Sequence, residues 1–238
     1  MKNAWNKSKF RAFVYSHLLL LLALVVLPLD RYYLYDLLVF SFVTSPLIRL
    51  VQHEYFAHSY VRFRNRFVKF LMFSYFSLYS FWKLEDTKNY HIAHHKSWLT
   101  EKDTTAREVR QGWFRYLLGL SDPAPMDVKV NERDPDVIFF NGYFYPIKII
   151  LLVLIYLCFG LTFLIHFVLI QQWMIYVTGR FHDIMFHYKD SAKDQPLTWL
   201  IYGNDSWHIT HHSDFSSPTW IAYDPQRLYR FLMCSDRS

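Results

Sequence analysis

Eight of the twelve histidines in this chain fall into three tight clusters. His53 and His58 frame Glu54, Tyr55, Phe56 and Ala57 in an H-x4-H pattern. His91, His94 and His95 form H-x2-H-H, and His208, His211 and His212 repeat it. Neutral imidazole is a good ligand for iron, copper, nickel or zinc. Eight or nine such ligands are too many for one ion, and two ions would use them all. On an α-helix, residues i, i+3 and i+4 lie within about 100° of one face. His91, His94 and His95 can therefore point into one site, and so can His208, His211 and His212. Residues i and i+5 sit about 140° apart on the same geometry. His53 and His58 should flank the site from a helix end, with local unwinding.

No Glu-x-x-His motif occurs, which argues against a carboxylate-bridged di-iron bundle. No His-Glu-x-x-His occurs, which argues against a zinc protease. His17 and His166 stand alone and read as core or interface residues.

The elements that must carry these boxes are apolar. Residues of hydrophobic type make up 53% of the chain and aromatics 20%, and they are clumped into long runs. Two stretches, Phe10–Leu29 and Tyr33–Val51, approach the roughly 20 residues of a bilayer crossing. The first has a basic start but no small-residue cleavage site, so it reads as a retained transmembrane helix and not a signal peptide. The short link around Pro28, Asp30 and Arg31 implies a helical hairpin. With Lys2, Lys7, Lys9 and Arg11 in the cytosol, the hairpin returns the chain to the cytosol near His53.

Phe67–Trp82 is shorter, aromatic and interrupted by Lys69, and reads as a helix lying in the membrane interface. Val137–Val177 is long enough for two crossings if Gly160 marks the corner. Boxes that share one site need an even number of crossings between them. The polar segment Lys83–Asp136, with Pro123, Pro125 and Pro135, reads as a cytosolic cap of short helices and loops. Residues 1–238 form a single all-α integral-membrane domain in this reading: four transmembrane helices with a cytosolic helical cap, and both termini and the metal site on the cytosolic side.

The net charge of +6 follows from basic clusters beside apolar helices, including Arg62, Arg64, Arg66 and Lys69. That placement fits a positive-inside bias and excludes a nucleic-acid module. Cys158 and Cys234 lie far apart and form no disulfide framework or Cys-rich metal site.

From the second apolar run to near the C-terminus, the chain resembles the membrane fatty-acyl desaturases, especially the stearoyl-CoA (delta-9) type. His53 to His58, followed by Ser59, Tyr60, Val61, Arg62 and Phe63, looks like that family's first box. Trp82 precedes the second box at a familiar distance. Gly203 to His208 resembles the lead into the third box. Trp220 to Pro225, followed by Leu228 and Phe231, resembles the closing segment.

The resemblance implies two irons and O2-dependent desaturation of a fatty-acyl chain linked to CoA, acyl-carrier protein or lipid. By position, one iron would take His53, His58, His91, His95 and His212. The other would take His94, His208, His211 and one histidine from the end of the fourth span. For that ninth ligand His182 fits best, with Thr178 at the position of the family's Asn; His187 is the rival. Asp103 stands in for an acidic residue after the second box, and Asn204 replaces one before the third. Trp82 and Trp207 are candidate walls of an acyl tunnel.

No dinucleotide fingerprint, haem domain or iron–sulfur domain is present. Electrons would come from a partner such as cytochrome b5 or ferredoxin. A lipid or carotenoid hydroxylase or ketolase uses the same histidine-box logic. A membrane metal-binding protein or transporter is the alternative from another class, although transporters tend to place ionisable ligands inside their spans.

Overall fold

A largely apolar run carries one helix, α1 (Tyr33–Ala57), through alternating α and π turns. The computed structural model describes residues 11–18, 20–21, 25, 32–98, 100–121, 133–187 and 225–235. Pro46 lies early in the α-helical stretch Ser45–Arg49. Having no N–H, it cannot donate back to the carbonyl four residues earlier. The Tyr229 hydroxyl donates to that carbonyl, Phe42 O, at 2.8 Å. A side chain from the far end of the sequence thus fills the gap that the proline leaves.

Helix α2 (Arg66–Tyr79) begins where the Asn65 side chain accepts the Val68 N–H at 2.9 Å. Such a cap satisfies one of the orphan donors of the first turn. Met72, Phe73 and Phe76 are buried on one face, while Phe67, Phe70 and Leu71 are exposed on the other. This helix is the segment expected to lie in the membrane interface.

The segment expected to form short helices and loops does so where it is described. It holds α3 (Leu84–Lys96), α4 (Thr104–Arg110) and α5 (Trp113–Leu117), and runs into α6 (Pro135–Gly142). Glu85 and Asp86 occupy the first turn of α3, and His94, His95 and Lys96 the last, an order that suits the helix dipole. Pro123 and Pro125 lie outside the described residues.

A helical stretch of 44 residues, Phe144–His187, follows. It comprises α7 (Phe144–Leu164), a π-helical segment Ile165–Ile170, and α8 (Gln171–His187). Gly160 interrupts it with φ 81° and ψ 178°, a conformation essentially confined to glycine. Positions 148 and 167, on opposite sides of Gly160, both reach the end of α2. Lys148 Nζ donates to Ser80 O at 3.0 Å, and Tyr79 Oη donates to Phe167 O at 2.7 Å. Gly160 is thus a real break in the stretch, at the position expected for the corner.

Helix α9 (Pro225–Met233) is joined back to the end of α1 by a short antiparallel ladder. Strand β1 (Arg62–Phe63) pairs with β2 (Cys234–Ser235), with Arg62 opposite Ser235. Arg64 adds hydrogen bonds to Cys234 O at 3.1 Å and Phe231 O at 2.5 Å.

The core packs Leu50, Val51 and Phe56 of α1 against Phe73 and Phe76 of α2 and Ile165 and Val168 beyond Gly160. The fold is mostly helical, and α1 and the Phe144–His187 stretch are long and apolar enough to cross a bilayer. They differ in burial. Of their most apolar windows, 56% is buried in α1 and 11% in Phe144–His187. Ile149, Ile150, Leu154 and Leu157 stand exposed on α7, an apolar surface of the kind that water does not favour. The expected first span, Phe10–Leu29, is helical at residues 11–18, and most of the remainder lies outside the described residues.

Candidate metal centre

The first histidine pair depends on how α1 ends. Its last stretch, Leu50–Ala57, is π-helical, and His58 caps it. The His58 N–H donates to His53 O at 3.0 Å, the i to i+5 bond that defines a π turn. On α geometry the two side chains would diverge by about 140°. The wider turn rotates His58 back over His53, and their ring centroids lie 4.6 Å apart. Ser59 then adopts φ 55°, turning the chain so that Tyr60 stacks on His58 at 4.8 Å.

Helix α3 supplies His91 and His95 from one face, one turn apart. The His91 ring lies 4.9 Å from His53 and 4.5 Å from His95, and His95 lies 4.7 Å from His58. One nitrogen from each of the four falls within 4.8 Å of all the others. His58 Nε2 is 3.1 Å from His91 Nε2. Two ligands at 90° around an ion with bonds of about 2.1 Å are separated by about 3 Å. Burial pushes His58 down to about 4. Burial, and then the neighbouring imidazoles of His53 and His95, hold His91 well below the ordinary histidine range. Neutral rings with free lone pairs are what a metal ion requires. The donor set therefore fits a divalent transition ion.

The second group is built differently. His94, Asp103 and His187 offer one ligand atom each within 4.8 Å, and all three are buried. His94 lies on α3 between His91 and His95, yet its ring is 6.3 Å from the former and 5.7 Å from the latter. It approaches His187, the last residue of α8, at 4.7 Å. The second box is thus shared between two groups. His94 Nδ1 lies 2.9 Å from Asp103 Oδ1. A neutral imidazole donating there keeps its lone pair on Nε2, the arrangement by which carboxylates orient metal-binding histidines. Asp103 also accepts the N–H groups of Thr105 and Ala106, at 2.9 Å and 3.2 Å, and so caps α4.

His187, and not His182, stands in the group with His94 and Asp103. His182 Nδ1 is 3.3 Å from Asp183 Oδ1, and its side chain lines the neighbouring cavity. His208, His211 and His212 lie outside the described residues, as do Asn204, Trp207 and Trp220. The lone histidines sit elsewhere. His166 is buried with Nδ1 at 2.7 Å from Asp36 Oδ2, and His17 Nδ1 bonds within its own helix to Phe13 O at 2.9 Å.

A cavity of about 200 Å³ touches both groups. His53 and His91 of the first line it, as do His94 and His187 of the second. Ile48, Phe81, Trp82 and Ile175 supply apolar wall. A polar set that the sequence did not announce completes it. The Tyr116 hydroxyl donates to the Asp183 carboxylate, and the Arg180 guanidinium lies 4.5 Å from the Tyr116 ring. These residues come from α5 and α8, far apart in sequence, so no local motif marks them.

No protein-family model matches the sequence, and no curated protein matches it either.

Proposed function

We propose that the chain is an integral-membrane, histidine-ligated di-iron oxygenase that introduces a double bond into a fatty-acyl chain. The observation that carries this reading is the single cavity bounded by two separate histidine groups and an apolar, aromatic wall. In this reading four helices cross the bilayer, a cytosolic cap carries α3 to α5, and cytochrome b5 or a ferredoxin supplies electrons.

His53, His58, His91 and His95 would hold one iron, and His94 and His187 the other, with the third box completing both. Bound iron supplies the redox chemistry with O2 that removing hydrogen from an unactivated methylene demands and that no side chain provides. The protein's own residues do the rest. Asp103 holds His94 in one tautomer and orientation. The half-buried walls at Phe81 and Trp82 exclude water and position the chain, so that two neighbouring carbons lie close to both groups. The exposed apolar face of α7 is a lipid-facing surface in this account.

Expression in a host lacking its own desaturase, with lipid and carotenoid profiling and iron analysis, tests the proposal. The expected result is a new acyl double bond, about two irons per chain, and loss of the product in His94→Ala. A hydroxylated or ketolated product would replace desaturation with oxygen insertion. An unchanged profile despite bound iron would remove the enzymatic reading.

A further inference from the structure

Arg180 is a charged residue of the cavity that metal binding does not use. It is 4% exposed and lines the cavity from the middle of α8. Tyr116 and Tyr176 flank its guanidinium, with ring centres at 4.5 Å and 5.4 Å. The rings cover the face of the guanidinium and the tyrosine hydroxyls reach part of its edge, which leaves the remaining N–H groups to be satisfied. Nε and Nη2 find no hydrogen-bond partner among the described residues. Of the nearby carboxylates, Asp183 is engaged by the Tyr116 hydroxyl, and the buried Glu108 balances part of the charge without bonding Nε or Nη2. Burying a cation with donors unmet is costly, and such groups persist where a ligand completes them.

Position and charge narrow the ligand. Arg180 and His187 lie two helical turns apart on one face of α8, a rise of about 10 Å. Arg49, upstream of His53 on α1, brings a second guanidinium to the same cavity, and Asp183 is the one carboxylate among its described lining residues. The lining therefore favours an oxygen-bearing, anionic group over a plain hydrocarbon.

We propose that Arg180 anchors the acyl oxygen of the substrate, a carboxylate by preference, about two helical turns from the His94–His187 group. The inference rests on the acyl-chain reading above and deepens it: a fatty acid or acyl derivative fits, and a hydrocarbon without oxygen does not. Arg180 acts in binding and positioning, and takes no part in the oxidation.

Quenching of tryptophan fluorescence by brominated chains tests this, because Trp82 lines the cavity. The probes are dodecanoic acid brominated at its terminal carbon, its methyl ester, and bromododecane, titrated into the purified full chain in detergent at matched mole fractions. The acid should bind wild type about tenfold more tightly than bromododecane, the worth of one charge-assisted hydrogen bond. Arg180→Met should erase that preference and change bromododecane binding less than about threefold. Arg180→Lys, which keeps the charge but loses the planar fork, should fall between. An ester that binds as well as the acid assigns the contact to a neutral acyl oxygen and still supports the anchor.

Equal binding of all three probes to wild type would overturn the proposal, and that comparison needs no variant to fold. Equal weakening of all three in Arg180→Met would overturn it as well. The readout requires neither iron turnover nor O2. A missing desaturation product therefore counts against the enzyme reading alone, and a missing acid preference against the anchor alone.

Discussion

The first histidine group is organised by a backbone irregularity, and the second by a carboxylate. His53 and His58 face each other because the end of α1 opens into a π turn. His94 is held by Asp103, which is itself fixed as the cap of α4. The rings of the first group are partly exposed, whereas those of the second are buried. Four clustered imidazoles hold one another in a geometry that a shared ion can stabilise. A histidine with fewer ring neighbours needs an outside partner to set its direction. The difference predicts that the groups fail separately and for different reasons.

The largest effects should come from the ligands. His91→Ala should empty the first group and His94→Ala the second, each lowering iron from about two to about one per chain and abolishing product. Metal analysis beside lipid profiling reads both. Loss of both irons in either variant would merge the groups into one cooperative site and break the comparison.

Asp103→Asn comes next. It retains a capping oxygen but removes the charge that orients His94. Metal affinity of the second group should fall about 10- to 100-fold, with the first unchanged, as read by chelator competition. Equal loss at both groups would show that the carboxylate serves the fold and not the ligand.

The smallest effect should come from behind the first group. Tyr55, inside the π turn, donates to Asp134 at 3.0 Å, and Lys69 donates to the same carboxylate oxygen at 2.5 Å. Asp134→Asn should cost about 1 kcal/mol in thermal stability and loosen only the first group. Burial alone would raise the Asp134 carboxyl, but hydrogen bonds from Lys69 and from the Asp136 N–H outweigh it and hold it below the ordinary range. A depressed carboxyl contributes stability that is complete above the unfolded value of about 3.9. That stability disappears as pH falls through the lower folded value. Acid titration followed by circular dichroism should show a larger limb in wild type than in Asp134→Asn, where Asp136, also held low by its hydrogen bond from Lys69, still contributes.

Much of this arrangement was legible in residue types and spacing. Long apolar runs marked α1 and the Phe144–His187 stretch, and a glycine within an apolar run marked the break at Gly160. Histidine spacing marked the clusters. Four features lay beyond what residue spacing alone could fix, each for a physical reason. The H-x4-H pair looks divergent on α geometry, and no side-chain pattern announces a π turn. Helix spacing alone reads the second box as one face; the separation of His94 from His91 and His95 came only with the family resemblance, and tertiary packing decides it. His182 and His187 both lie on α8, and only the approach of α3 and α4 brings one of them to His94. Arg180 and Tyr116 escaped for the same reason, since helix packing and not local sequence brings them together.

The π turn also sets the phase of everything before it. It holds one more residue than an α turn of the same reach. Deleting a residue between His53 and His58 would still leave two histidines on one side of an ordinary α-helix. Ser45, Ile48 and Arg49, in phase with His53, would keep their side of the cavity; closing the turn to α geometry without the deletion would instead swing them and His53 by about 100° relative to His58. The length of the first box thus acts as a timing mark along α1, coupling the orientation of the metal ligands to the side of the helix that meets the cavity.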